Sequence, residues 1–280
     1  MSTLKVNAIE SQAANSAPTI AGIQFPSAGP LSNRNLIING AMQVAQRGTV
    51  TGITSQPTYG GPDRFDLRPG DHGTFSLEQS TDAPDGFSNS LKVSCTTADG
   101  DLTDGSLNLV QHIEGQNLQH LKWGTANAEK LTLSFYAKAN AAEDITVNLR
   151  DIDNGTLVGS TISLTTSWTK YTITFAAQTT GSGMDNDNGD SLWVEWWLGQ
   201  GTDGTYTSGS VNSTWTAHAA SNRGAGNTFV IGDSTSNEFY LTGVQLEVGD
   251  KATPFEHRSF DAELQACQRY FQKSYPYSES

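Results

Sequence analysis

The residues best placed to do chemistry stand in one short run, LWVEWWL at 192–198. In an extended strand, alternate side chains point to opposite faces. Leu192, Val194, Trp196 and Leu198 then share one face, and Trp193, Glu195 and Trp197 share the other. Two indoles about 13 Å apart, at a rise near 3.3 Å per residue, suit a platform on which sugar rings stack. Glu195 between them would accept hydroxyl hydrogen bonds. Tyr206 and Trp215, in the Gly-, Ser- and Thr-rich stretch 199–226, complete the candidate carbohydrate-binding set. That stretch is long for a connection, so it is either a contact loop or a surface excursion, with a short strand around 213–217. Exposed paired tryptophans usually mark an interface, so cover by a loop, the terminal helix or another subunit is the favoured reading of this face.

Nothing else in the chain spells out an active site. His72, His112, His120, His218 and His257 show no metal-ligand spacing, and no GxSxG elbow, HExxH pair or P-loop occurs. His257, in PFEHRS, reads as a structural hydrogen-bonding residue. Asp151 and Asp153 fall in a turn and give a glycosidase no anchor. The acidic run DNDNGD at 185–190 fails the EF-hand pattern, because Asp190 and Trp196 replace the Gly and Glu at its sixth and twelfth positions. It reads as a solvated hairpin loop. No catalytic residue, metal ligand or cofactor is assigned, and the chain is not expected to be an enzyme.

Charge narrows the partners. The formal net charge is −13, with 16 basic residues that form no cluster. A nucleic-acid surface needs Lys and Arg to displace counterions from phosphates, and a membrane surface needs a polybasic face. Neither partner is expected. No run approaches the roughly 20 apolar residues of a membrane span, and MSTLKVNAIESQ has neither the basic nor the apolar region of a secretory signal. Cys95 and Cys267 read as small buried hydrophobes of a chain folded in a reducing cytoplasm.

The elements that must position the aromatic run are strands. Period-two alternation marks Phe65/Leu67, Phe75/Leu77, Leu91/Val93/Cys95, Leu107/Leu109, Leu131/Leu133/Phe135/Ala137, Ile145/Val147/Leu149 and Tyr171/Ile173/Phe175. Leu36–Ile38 reads as a further strand, ended by Asn39-Gly40, and Asp153-Asn154-Gly155 as a hairpin turn. In the last strand, Phe239 and Leu241 differ in parity from Val244, Leu246 and Val248, which a bulge at Thr242-Gly243 would reconcile. One-sided burial over ten or so strands points to an all-β fold, two antiparallel sheets packed as a sandwich. The chain closes on one amphipathic helix, from about 259 to 273, with Ser259 as N-cap. Its stripe Phe260, Leu264, Cys267 and Phe271 must pack on the sandwich or on another subunit. Residues 1–34, polar and sparsely apolar, form an arm too poor to fold alone. The expected units are thus 1–34 (arm), 35–258 (sandwich) and 259–280 (helix and tail).

Several stretches carry a resemblance. NLIINGAM at 35–42, residues 131–175 including SWTKYTITF at 167–175, and FYLTGVQLEVG at 239–249 resemble a jelly roll of the galactose-binding-like type, as in carbohydrate-binding modules. TPFEHRSFDAELQACQRY at 253–270, with the opening MSTLKVNAIES, is similar to phage tail-fibre and head-fibre proteins. The resemblance implies a virion structural protein, folded and assembled in the host cytoplasm. It also implies tail or capsid proteins as partners, a homotrimer, and contact with a host-surface glycan. A capsid decoration or head-fibre protein with a stabilising role, and a free carbohydrate-binding module, are the alternatives. Such modules often bind a structural calcium through acidic residues of the closing strand. Thr242 and Gly243 stand there instead, so the metal is not carried over.

Overall fold

The computed structural model describes residues 29–274 and, as backbone strands, 19–20 and 23–24. Most of the expected arm and the tail beyond 274 lie outside the described residues. β1 (Thr19–Ile20) and β2 (Ile23–Gln24) pair with each other. The body is one antiparallel ladder folded into two layers. In chain order its strands are β3 (Val50–Ser55), β4 (Thr58–Tyr59), β5 (Phe65–Ser80), β6 (Ser90–Thr97), β7 (Ser106–Glu114), β8 (Leu131–Ala139) and β9 (Asp144–Asp151). There follow β10 (Thr156–Ser163), β11 (Thr169–Phe175), β12 (Asp190–Gln200), β13 (Thr216–Ala217) and β14 (Glu238–Val248). The pairing order is β11-β8-β14-β6-β5-β7-β12-β9-β10-β13, with β3 and β4 on β5.

The corner between the layers is β5. Its residues 74–80 pair with β6 and residues 65–70 with β7. Between the two halves, Asp71 and Gly73 take left-handed φ values of 47° and 99° and turn the strand from one layer into the other. The alternating apolar residues of both layers meet in one core. Phe135 of β8 meets Trp196 of β12 edge to face across the sandwich, with ring centroids 5.8 Å apart. The fold is therefore an all-β jelly-roll sandwich with a short helix near its C-terminal end, as the alternation predicts.

The parity slip in β14 resolves as expected. Pairing with β8 shifts between Thr242 and Gln245, and Gly243 sits at φ 60°. This bulge lets Phe239, Leu241, Val244 and Leu246 all reach the core fully buried.

Two expectations need correction. Leu36–Ile38 is not a ladder strand. The N–H of Leu36 donates to the Leu246 carbonyl (2.8 Å), but those of Ile38 and Asn39 donate to Gln111 Oε1 (3.0 Å) and Glu263 Oε2 (2.6 Å). Side chains from distant parts of the chain satisfy this backbone, so no neighbouring strand is needed. The closing helix, α2 (Phe260–Gln268), is capped by Ser259, whose Oγ accepts from Ala262 N, but it ends five residues early. Its buried residues are Glu263 and Cys267, whereas Leu264 and Phe271 are half-buried and Phe260 is 40% exposed. The helix turns a carboxylate inward because Glu263 is needed at Asn39. It packs on its own sandwich.

The segments 34–47 and 253–271 thereby form a clasp. Glu256 accepts from Asn35 N (3.0 Å), and Arg258 donates to the carbonyls of Asn35 and Ile37. Gln46 donates to the carbonyl of Phe271 (2.8 Å). Gly40 lies so close to β14 that a Cβ there would sit 2.1 Å from the Val244 carbonyl oxygen.

Candidate functional site

The outer face of the second layer carries the chemistry. Register aligns His112, Trp193 and Arg150 in one row across β7, β12 and β9. The next row is Asp66, Val110, Glu195 and Asn148, and the third is Arg68, Asn108 and Trp197. These are the residues that alternation leaves over once the apolar set has gone to the core.

Trp193 and Trp197 share this face as the strand period predicts, but they do not make an open platform. Trp197 and Glu195 are fully buried. The excursion 199–226 lies over them and carries the four-residue helix α1 (Ala220–Arg223). Arg223 donates to Glu195 Oε1 at 2.7 Å, and its guanidinium lies 4.7 Å from the Trp197 ring centre. Tyr206 covers the same indole at 5.1 Å. Burial works against the Glu195 charge, but Arg223 and Arg150 together outweigh it and hold the carboxyl below its ordinary value. Trp215 packs edge to face on Trp123 (4.8 Å) and donates to the Ala176 carbonyl (2.7 Å), so Tyr206 and Trp215 anchor the cover. The physical reason is the one weighed from sequence: two bare indoles cost more than a loop that covers them.

Trp193 alone stays half-exposed. Arg68 and Arg150 stack on its ring at 4.3 and 4.9 Å, and His112 approaches its edge at 4.7 Å. His112 bridges two carboxylates, with Nε2 3.0 Å from Asp66 and Nδ1 2.7 Å from Asp190. Burial lowers its basicity, but the hydrogen bonds and charges of Asp190 and Asp66 prevail and raise its pKa. Asp190 thus leaves the 185–190 loop to join a network that sequence reasoning missed. Only the outward parity of His112 in β7 hinted at it. Nδ1 meets Asp190, while Nε2 is shared between Asp66 and Arg68 Nη2, each at 3.0 Å, so the ring is tied into a closed network rather than left free to shuttle protons.

Two hollows flank this face and the bulge. One, of about 510 Å³, opens beside α2 and is lined by Arg64, Glu114, Asp190 and Tyr270, among others. The other, of about 440 Å³, holds Phe87, Tyr136, Phe255 and His257 around Gly243. His257 stacks there on Phe255 (4.8 Å) and Phe87 (5.3 Å), a ring contact rather than the hydrogen-bonding role its sequence context suggested. Among the described residues no three His, Cys, Asp or Glu side chains converge as a metal site. Cys95 and Cys267 are free and buried.

No family model and no curated protein matches the chain. Among solved structures it is similar to a CBM4 structure, at 16% identity over 75% of this chain and 97% of that one, with a TM-score of 0.37. A putative sugar-binding protein from Bacteroides thetaiotaomicron is similar at 13% identity, over 77% and 100% of the two chains, with a TM-score of 0.39. The enzymatically active domain of tailspike protein 4 from bacteriophage CBA120 is similar at 13% identity and a TM-score of 0.37. The match covers 76% of this chain but 21% of that one. At TM-scores of 0.37–0.39 these likenesses carry no argument about fold or ligand.

Proposed function

We propose that the chain is a structural protein of a phage particle, a tail-fibre or fibre-like protein whose sandwich is non-catalytic and meets a host-surface glycan. The observation that carries this reading is the clasp. Of the segments in which the sequence resembles fibre proteins and galactose-binding-like domains, 35–42 is remote in the chain from the adjoining 239–249 and 253–270. They interlock through Asn35, Asn39, Glu256, Arg258 and Glu263. Residues 34–47 and the terminal helix therefore meet at one corner of the body, an arrangement suited to attachment at that corner and contact elsewhere. The half-exposed Trp193, with Arg68 and Arg150 stacked on its ring, supplies an aromatic edge and guanidinium donors to a sugar's hydroxyls. A homotrimer and neighbouring tail or capsid proteins belong to the same proposal.

Purified particles probed with an antibody to the chain, together with solution mass of the isolated protein, test the virion reading. Label on the tail or capsid and a trimeric mass are the expected results. Particles without the chain would overturn it. For the glycan, binding of the full chain to immobilised neutral oligosaccharides should weaken roughly tenfold or more in Trp193→Ala, as for loss of one stacking residue.

A further inference from the structure

In the hollow beside α2, Arg64 is a buried cation that no carboxylate of the described residues pairs with. The residue is 7% exposed and takes a φ of 80°, a left-handed value that an arginine adopts only when its surroundings impose it. One Nη2–H donates to the His112 carbonyl at 2.7 Å, and the guanidinium lies 3.4 Å from the Tyr270 ring centre. Its buried Nε has no hydrogen-bond partner, and no carboxylate of the described residues pairs with it. The carboxylates of the same wall are already engaged. Asp63 takes the N–H and amide of Gln46, Glu114 takes Arg269 at 2.8 Å, and Asp190 takes His112.

A buried, unpaired guanidinium at the edge of a cavity is costly unless an anion completes it. The cavity of about 510 Å³ lies within the range of small-ligand sites, roughly 300–1,000 Å³. Its remaining walls choose among anions. Arg47, Arg269 and His112 line the same wall and stand against Asp63, Glu114 and Asp190, so a single negative charge, rather than the two of a phosphate dianion, matches Arg64. Tyr59, whose hydroxyl burial keeps protonated with a pKa of about 12, and Phe271 flank the Arg47 guanidinium, which lies 5.3 and 3.7 Å from their ring centres, so this side meets a larger body with an aromatic-backed donor. A single negative charge carried on a sugar ring fits both conditions.

We propose that this cavity takes a carboxylate-bearing sugar, a uronic acid unit of an acidic surface polysaccharide, with its carboxylate on Arg64. The proposal rests on the glycan-binding reading given above and adds to it a second contact, separated from Trp193 by His112, for an acidic sugar unit.

The test titrates the full chain with D-glucuronic acid, its methyl ester and inorganic phosphate, reading heat and the shift in melting temperature. Neutral oligosaccharides are run in parallel. Glucuronic acid should bind, with the ester weaker by roughly tenfold or more, since the charge-assisted bonds are lost. Arg64→Lys keeps the charge but loses the planar fork, and should weaken the acid by roughly tenfold. Equal binding of acid and ester, displacement by phosphate, or an unaffected Arg64→Lys variant would each overturn the proposal. If that variant does not fold, the comparison of acid with ester on the unaltered chain decides alone. Binding of neutral oligosaccharides without glucuronic acid sinks this inference and leaves the broader reading standing, whereas binding of neither sugar overturns both.

Discussion

Replacing Gly40 by alanine tests the idea that the clasp rests on close backbone approach. The added Cβ would stand 2.1 Å from the Val244 carbonyl oxygen and 3.3 Å from Asn35 Nδ2. Neither neighbour can swing aside cheaply. The Val244 oxygen accepts from Asn35 Nδ2 at 3.1 Å, and the Val244 N–H donates to the Gly40 carbonyl at 2.9 Å. An ordinary carbon–oxygen contact requires the two segments to part by about 1 Å, which breaks both bonds in a buried place. Each buried group left unsatisfied costs about 1–3 kcal/mol, and overpacking adds about as much again. A loss of about 3–6 kcal/mol is expected. For a chain of this size that is a fall in Tm of roughly 5–10 °C, measured by calorimetry and checked by urea unfolding. Gly100→Ala is the control, because nothing lies within 4 Å of its Cβ and its φ is not left-handed. It should change stability by less than about 0.5 kcal/mol. A Gly40→Ala protein within about 1 kcal/mol of the parent would refute the argument from contact.

Three further outcomes follow from the same geometry. Arg223→Ala leaves Glu195 buried with its closest cation gone, so stability should fall by about 3 kcal/mol. Protease sites within 199–226 should open at the same time; unchanged proteolysis would mean the cover is held by other contacts. Glu256 is opposed by burial, but hydrogen bonds from the Asn35 and Arg34 backbone and the charges of Arg258 and Arg34 lower its pKa. Its stabilising share is therefore present above the ordinary value of 4.5 and lost as pH falls through the lowered folded value. Glu256→Gln should flatten the acid limb of the stability curve, and an identical limb would count against the clasp. Cys267, whose pKa burial pushes well up, should resist thiol reagents until the chain unfolds. Reaction of the native protein at Cys267 would show that α2 undocks readily.

Much of the fold could be read from residue order because strand burial has a period of two. That period places Leu192, Val194, Trp196 and Leu198 inside and Trp193, Glu195 and Trp197 outside. It also requires a bulge in β14, where Gly243 duly takes a left-handed φ. The same rule is blind to what lies beyond a face, so it could not choose between an open platform and a covered one. Arg223 and Tyr206 close that face from a stretch whose sequence has no periodicity. Helix periodicity was misleading for a related reason. It ranks side chains by apolarity, so it pointed Phe260 inward, whereas the unpaired N–H of Asn39 draws Glu263 to the buried side.

Sequence alone therefore determined most of the strands and their faces, since alternation and turn chemistry act between near neighbours. Only the tertiary structure decided which polar groups meet. Asn35 with Glu256, His112 with Asp190, and Arg64 with Tyr270 are partnerships between residues tens to hundreds of positions apart. A buried donor or acceptor must be satisfied by whatever group the fold delivers, and no local pattern records which group that is.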